Sequence, residues 1–168
     1  MATIGQAASK VEAWAAGFNR FIVSLIQSNA KIVEECVREQ IESGQDGNGN
    51  SLSPTYLNDP YFDKYGSRAQ AMAQAYRNWK MSITPPQSGT LLGLPPRDPD
   101  VPNLRINGYY QDGIKANSKN DGVSIKGTVS FSGEIDGKYG ADLLKMGQTA
   151  REYFNNQIVK PALKDFLK

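Results

Sequence analysis

The sequence has no histidine and a single cysteine, Cys36, in its 168 residues. Without histidine, His-based general acid–base catalysis, Ser-His-Asp and Cys-His nucleophile systems and most zinc sites are excluded. One cysteine excludes an intrachain disulfide, and the helical, apolar spacing around Cys36 predicts a buried thiol that packs as a small hydrophobe. Little of the chemistry that hydrolases and metalloenzymes use is therefore present.

Long hydrophobic runs are missing as well. The apolar run nearest the N-terminus covers residues 21–26, whereas a helix that spans a bilayer needs about 20 apolar residues. The first ten residues are polar and alanine-rich, and no signal peptide is visible in them. We therefore expect no membrane association and place the chain in a reducing cytoplasm, or in a particle that is assembled there.

An excess of charge of one sign is also lacking. Nineteen Lys and Arg face seventeen Asp and Glu, which leaves a net charge of +2. This balance differs from the basic footprint of a dedicated nucleic-acid binder. The hydrophobic fraction of 39% and the charged fraction of 21% are typical of a globular chain. The length suits one core, so we predict a single domain over residues 1–168.

Motifs for metals, cofactors and catalysis are incomplete. Residues 46–50 have the D-x-N-x-N start of a calcium loop, but Ser51 stands where that loop needs Gly and Leu57 where it needs Glu. No glycine-rich phosphate loop is present. The sequence therefore predicts no catalytic residue, no metal and no cofactor. A carboxylate-dependent hydrolase is kept as a formal alternative, because Asp and Glu are available.

The N-terminal quarter has the apolar spacing of a helix. Steps of three and four between apolar residues continue without proline from residue 4 to 43, and Gly44 is a natural C-cap. We therefore predict one long helix in residues 1–44, roughly 60 Å long at 1.5 Å per residue. The alternative is a pair of helices that breaks near Ser28 and Asn29 and folds as a hairpin.

This first helix is apolar over a wide arc, because Trp14 and Phe21 stand beside the stripe that contains Phe18. A helix with so wide an apolar arc is covered by more than one neighbour. In a chain of this size the second neighbour is expected to be another subunit. We therefore predict that Trp14, Phe18 and Phe21 form a subunit interface.

A second helix, over residues 67–82, is followed by an irregular segment, residues 84–103, with six of the nine prolines. Proline removes amide donors and fixes φ, so this segment cannot be a helix or an inner strand. Its apolar centre, with Leu91, Leu92 and Leu94, predicts an arm that docks on a neighbouring subunit. A surface insertion that packs on its own domain is the equal alternative.

The remainder of the chain alternates strand and helix patterns. Residues 104–133 form a β region of two or three short antiparallel strands, with a hairpin at Asp121 and Gly122. Residues 139–168 are predicted as helices, including a short one near residues 139–146. A longer helix follows, and Pro161 must kink or interrupt it. The predicted fold class is α+β, with the N- and C-terminal helices packed on a small antiparallel sheet.

Five short motifs occur in a recognisable order. Residues 46–49 form a D-x-x-G-type turn, and Leu-Ser-Pro follows at 52–54. Residues 104–114 resemble an L-x-x-T-G-x-L-x-x-S-I element, the hairpin 114–126 comes next, and 138–141 contain a Tyr-Gly-Ala version of a Y-A motif. In this order the chain resembles the tail-completion and head–tail neck proteins of tailed bacteriophages, also called virion morphogenesis proteins.

The chain departs from this family's pattern at four places. Asn107 stands where the family usually has Thr, and Tyr110 where it has Leu. The P-A-R-P-F type of segment before the last helix is replaced by residues 142–146. The segment 84–103 is an insertion relative to the family pattern.

The resemblance implies a fold and a place of assembly. It implies a long helix packed on an antiparallel sheet of about four strands, and a homo-oligomeric ring of six or twelve copies. This ring would sit in the virion between the portal or connector and the tail proteins, and would surround the DNA exit channel. The net charge of +2 suits a lumen through which DNA slides without specific binding. The alternative function is a small cytoplasmic adaptor that binds a protein through residues 84–103.

Overall fold

A computed structural model describes residues 4–119 and 122–167 of the chain. The fold class is α+β, as predicted, with 56% of the residues in helices and 9% in a two-stranded antiparallel sheet. In chain order the elements are α1 (Ile4–Ser28), α2 (Ala30–Glu42), a 3-10 helix (Pro60–Arg68), α3 (Ala69–Ile83), α4 (Tyr109–Asp112), β1 (Ile114–Lys119), β2 (Gly122–Gly127), α5 (Ser132–Tyr139), α6 (Gln148–Phe154), a π-helical turn (Asn155–Val159) and α7 (Lys160–Phe166).

The prediction of one continuous N-terminal helix is wrong, because the helix breaks at Asn29. This residue has φ −117° and ψ 19°, and its side-chain amide donates to the Leu25 carbonyl at 2.8 Å. Its backbone N–H bonds to Ile26 instead. The asparagine side chain thus takes the carbonyl that a continuing helix would use. The break agrees with the alternative, but α1 packs against β1 and α7 and does not fold back along α2 as a hairpin.

The second helix, α2, forms the centre of the core. Val37 and Ile41 are fully buried on α2, in a cluster that also includes residues of α4, β1, β2 and α5. The buried cluster around them comprises Leu52, Val101, Tyr110, Ile114 and Leu143. Helix α2 ends with Gly44 at φ +70°, where a Cβ would overlap Val101. The predicted glycine at this helix end is confirmed, and both the left-handed conformation and the close packing require it.

The thiol of Cys36 is buried within α2, as the sequence predicted. Burial, reinforced by the carboxylates of Glu39 and Glu35, raises its pKa to about 11. We expect a thiol reagent such as DTNB at pH 8 to react slowly with the native protein, because the reactive thiolate is scarce and enclosed. The urea-unfolded chain should release one equivalent rapidly. Fast reaction of the native protein would show that the thiol reaches solvent.

The sheet has two strands, within the predicted two or three, and is smaller than the sheet of about four that the resemblance implies. β1 and β2 pair antiparallel from Ile114 opposite Gly127, and no other strand exists in residues 4–119 and 122–167. The backbone N–H and hydroxyl of Thr128 both donate to the Gly113 carbonyl. These two bonds end the pairing of β1 and β2. Residues 129–131 then form a turn that leads into α5, so they do not form a third strand.

Polar side chains of α2 cover the outer edge of β1. Glu34 accepts the Ala116 N–H at 3.1 Å, and the Arg38 guanidinium donates to the Ile114 carbonyl at 3.4 Å. These bonds occupy the backbone groups to which another strand would pair. The sheet therefore stops at two strands on this side.

The C-terminal helices partly follow the prediction. The prediction of a short helix near residues 139–146 is wrong, because α5 already ends at Tyr139 and Gly140 adopts φ +91°. The interruption at Pro161 is confirmed. It lies in the first turn of α7, directly after the π-helical turn. Proline has no N–H to continue the ladder, so the helix changes its hydrogen-bond pattern there.

The proline-rich segment 84–103 packs on its own domain, which was the alternative to a docking arm. The Glu39 carboxylate of α2 accepts the backbone N–H groups of Leu91 at 2.6 Å and Leu92 at 2.7 Å. Gly89 lies so close to Glu39 that a Cβ there would overlap the carboxylate. The segment therefore does not project from its domain, and its docking on a partner stays a prediction.

Arg97 holds the other end of the same segment. Its side chain is buried, and its guanidinium donates to the carbonyls of Val101 at 2.7 Å and Thr84 at 2.8 Å. Longer bonds reach the carbonyls of Asp98 and Pro99. One side chain thus satisfies several carbonyls of a segment in which proline rules out regular pairing.

Candidate protein-binding surfaces

Helix α1 has no buried side chain among those that the structure describes. All described side chains in residues 5–16 are exposed, with exposed fractions of 66% for Val11 and 55% for Trp14. Helices in proteins are stabilised mainly by burial of an apolar face, and a helix that does not bury one is marginal. Val11 and Trp14, in the N-terminal half of α1, are therefore apolar side chains that the described part of the chain leaves largely uncovered.

The predicted interface residues of α1 form one continuous aromatic surface. Trp14 stacks on Phe18 with ring centroids 5.6 Å apart. Phe166 of α7 stacks on Phe21 at 4.5 Å and meets Phe18 edge-on at 6.0 Å. We call Trp14, Phe18, Phe21 and Phe166 the aromatic face. Its inner rings anchor α1 to α7, whereas Trp14 extends the surface outward.

The structure does not bring the other three predicted interface residues to this face. Leu91, Leu92 and Leu94 are half-buried within residues 84–103. Leu92 and Leu94 line a small cavity of about 220 Å³ beside Gln40 and Gly147. These leucines therefore help to pack the proline-rich segment on its own domain.

A second apolar surface, which we call the aromatic groove, lies between the 3-10 helix, α3, α5 and residues 102–106. Its volume is about 560 Å³. Tyr76 is at its centre, with ring centroids 5.7 Å from Tyr56, 5.7 Å from Phe62 and 5.4 Å from Trp79. The remaining lining residues are Asp59, Tyr61, Tyr65, Met72, Ala75, Lys80, Pro102, Leu104, Ile106, Ile135, Lys138 and Tyr139.

The walls of the groove are mainly aromatic and aliphatic side chains, and its charged lining residues are Asp59, Lys80 and Lys138. Burial raises the pKa of Tyr56 to about 12 and also raises the pKa values of Tyr76 and Tyr139. Their phenols therefore stay neutral at any physiological pH. Asp59 and Lys138 form an ion pair with each other at the groove. The groove thus suits an apolar or aromatic partner better than a charged one.

Part of this groove was visible in the sequence, but its role was missed. Residues 67–82 carry an aromatic face, for which burial in the core is the common interpretation. The tyrosine-rich residues 53–65 include most of the 3-10 helix. The signal was the occurrence of these two aromatic segments next to each other. Only folding shows that they form the walls of an open groove.

The broken calcium loop serves as a turn. Oδ1 of Asp46 accepts the backbone N–H groups of Asn48 at 2.8 Å and Asn50 at 2.9 Å. The Asn48 side chain bonds to Asp142, which ties the turn to the segment after α5. Within residues 4–119 and 122–167, no three His, Cys, Asp or Glu side chains are grouped as metal ligands.

The helices of the described chain are all too short or too polar to cross a membrane. Comparison of the chain with protein-family models, with curated proteins and with solved structures finds no match in any of the three.

Proposed function

We propose that this protein is a non-enzymatic structural subunit that assembles with copies of itself and with other virion proteins. The observation that carries the proposal is the apolar N-terminal half of α1, which includes the exposed Val11 and Trp14. Exposed apolar surface of this kind marks protein–protein contact sites. Trp is also the residue type that most often dominates the binding energy of an interface.

The specific assembly that we propose is a ring of six or twelve copies at the neck of a tailed bacteriophage. Support comes from the order of short motifs between residues 46 and 141, which resembles tail-completion and neck proteins. In this proposal the ring joins the portal or connector to the tail, and DNA passes through it without specific binding. The protein would be assembled in the host cytoplasm and reside in the virion.

The adaptor alternative required residues 84–103 to bind a partner. Because Glu39 and Arg97 hold this segment on its own domain, the adaptor has less support than the assembly subunit.

Substitution of Trp14 tests the proposal. We expect the wild-type chain, alone or with its portal and tail neighbours, to have the mass of a closed oligomer by native mass spectrometry. Trp14→Glu should shift this mass to the monomer and leave the circular dichroism spectrum unchanged, because Trp14 is exposed. Tyr109→Glu is the matched control, since Tyr109 is an exposed aromatic residue on α4 and belongs to neither surface. Normal assembly by a folded Trp14→Glu chain would contradict a role for Trp14 in the contact between copies.

A further inference from the structure

The aromatic groove contains a continuous row of aromatic rings. Neighbouring ring centroids lie 5.4 to 5.7 Å apart along the row Tyr61, Phe62, Tyr76 and Trp79. Both ends of the row are open to solvent, because Tyr61 is 58% exposed and Trp79 is 43% exposed. None of the described residues that line the groove belongs to α1 or α7, so these rings are separate from the aromatic face.

The groove also offers hydrogen-bond donors that have no acceptor. The Tyr56 hydroxyl is buried, and its proton has no acceptor in the described part of the chain. In the same part of the chain, the hydroxyls of Tyr76 and Tyr139 and the indole N–H of Trp79 make no hydrogen bond. Burial raises the pKa of all three tyrosines, so their hydroxyls keep the protons that they would donate.

The strongest acceptors at the groove are already in use. Asp59 is the only carboxylate among the described lining residues, and it accepts the Tyr61 backbone N–H at 3.0 Å and pairs with Lys138. At the floor, the Arg105 carbonyl accepts the Lys80 ammonium. A partner that brings backbone N–H groups into the groove would leave them poorly paired, which is costly once they lose water.

A proline-rich segment in the polyproline II conformation has the complementary chemistry. Proline has no N–H, and the carbonyls of such a segment are free to accept hydrogen bonds. Aromatic-lined grooves are a recurring way in which proteins bind these segments. One polyproline II turn is about 9 Å long. This length matches the stripe of Met72, Tyr76 and Trp79, which extends over about 10 Å of the α3 axis.

We propose that the aromatic groove binds a proline-rich segment of another protein in the polyproline II conformation. Proline rings pack on Tyr61 and Trp79, and carbonyls of the segment accept hydrogen bonds from the Tyr56 and Tyr76 hydroxyls. The fixed φ of proline limits the conformational entropy that the segment loses on binding. This contact does not involve α1, so it goes beyond the proposed assembly and does not depend on it.

The fluorescence of Trp79 reports this binding directly. The chain has two tryptophans, so Trp14→Phe leaves Trp79 as the sole tryptophan and keeps an aromatic ring on α1. We expect a capped decaproline peptide to change the Trp79 emission in a saturable manner. A Gly-Ser peptide of equal length should leave the emission unchanged, because it is flexible and brings backbone N–H groups.

A blocking variant locates the binding in the groove. Ala75 lines the groove, and Ala75→Arg places a long charged side chain there. This substitution should weaken decaproline binding by more than about tenfold, because the added side chain occupies the position of the peptide. Ala13→Arg is the matched control, since Ala13 is an exposed alanine of α1.

Two further variants test the hydrogen bonds. Tyr56→Phe and Tyr76→Phe remove one hydroxyl each and keep the ring, so each should weaken decaproline binding about two- to tenfold. The stability of the free protein should not fall, since neither hydroxyl has an acceptor to lose within the described chain. Tyr109→Phe is the control, at an exposed tyrosine outside the groove. Unchanged affinity in both groove variants would contradict the role of these hydroxyls as donors.

Three results overturn the inference. The first is the absence of a saturable response to decaproline, or an equal response to the Gly-Ser peptide. The second is unchanged affinity in Ala75→Arg, which would locate the binding outside the groove. The third is binding of a peptide with the sequence of residues 4–28 in place of decaproline, which would identify a helix as the occupant. Native mass spectrometry keeps the two proposals apart, because an oligomer that does not bind decaproline contradicts this inference alone.

Discussion

Replacement of Arg97 by alanine is expected to lower the free energy of unfolding by about 4 kcal/mol, since hydrogen bonds from a charged group contribute about 1.5–3 kcal/mol each. The Arg97 side chain is 4% exposed, and its guanidinium bonds to the carbonyls of Thr84, Asp98, Pro99 and Val101. Its removal leaves a cavity and strips these carbonyls of their donor. Urea unfolding followed by circular dichroism measures the loss.

Arg105→Ala is the matched control for this prediction. Its side chain is 50% exposed and pairs with Glu42 at the surface. An exposed ion pair contributes about 0–1 kcal/mol, so the control should remain close to the wild type. Equal losses in the two variants would contradict the anchoring role of Arg97.

The same variants report on the order of residues 84–103. In the wild-type chain, Glu39 holds the backbone of Leu91 and Leu92, so chymotrypsin should not cut after these leucines even before assembly. In Arg97→Ala the segment loses one of its two anchors, and cleavage there should become rapid. Rapid cleavage of the isolated wild type, with protection in the particle, would support the prediction that this segment docks on a partner.

Local patterns predicted the helical residues of α1, α2, α3, α6 and α7. They missed α4 and α5, because residues 104–133 were predicted as a β region. Apolar spacing continues through Asn29, so periodicity alone cannot detect the break. The cause of the break is a side-chain amide that bonds to the Leu25 carbonyl at 2.8 Å. The sequence offered this break only as the alternative to a continuous helix, because such local competition depends on the conformation that the asparagine adopts.

The position of the proline-rich segment was harder to predict, because the residues that it contacts are distant from it in the sequence. Proline excludes regular structure, but it does not show where the segment lies. Glu39 is 52 residues from Leu91, and its role as acceptor for two backbone N–H groups appears only when α2 and the segment meet. In the sequence alone, Glu39 is one of several carboxylates on an amphipathic helix.

The two candidate surfaces also differ in how far the sequence alone predicts them. Trp14, Phe18 and Phe21 were predicted from the wide apolar arc of one helix, and they do form a continuous face. The groove combines α3 with residues 56–65, 102–106 and 135–139, four parts of the chain that no local pattern connects. Surfaces within one element could therefore be predicted, whereas surfaces between elements required the fold.

Lys80, a buried lysine that lines the groove, is expected to have the second large effect on the free energy of unfolding. Lys80 is 1% exposed, and its ammonium donates to the Arg105 carbonyl. Burial, together with the nearby charges of Arg97 and Arg105, lowers its pKa from 10.5 to about 8. A charged Lys80 therefore weakens the folded state at neutral pH.

The sign of the pH dependence follows from proton binding. Between pH 8 and pH 10.5 the unfolded chain keeps the Lys80 proton while the folded chain releases it. The unfolded state then binds more protons, so the free energy of unfolding rises with pH across this window. Cys36 has the opposite effect on the free energy of unfolding. Its pKa is raised to about 11 in the folded state, so its contribution falls as the pH rises toward that value. The wild-type profile thus contains both contributions, and a variant is needed to separate them.

Lys80→Met provides this separation, since it removes one titrating group and keeps an unbranched apolar stem. Its lost bond to the Arg105 carbonyl adds a cost that does not vary with pH. We expect the stability of Lys80→Met relative to the wild type to fall by about 3 kcal/mol between pH 7 and pH 10.5, at 1.36 kcal/mol per pKa unit. Chemical denaturation at several pH values measures this difference. Lys126→Met is the control, since Lys126 is an exposed lysine of β2, and it shows how much of the change in stability results from the loss of any positive charge. A relative stability that stays constant with pH would mean that the Lys80 ammonium reaches water and keeps its ordinary pKa.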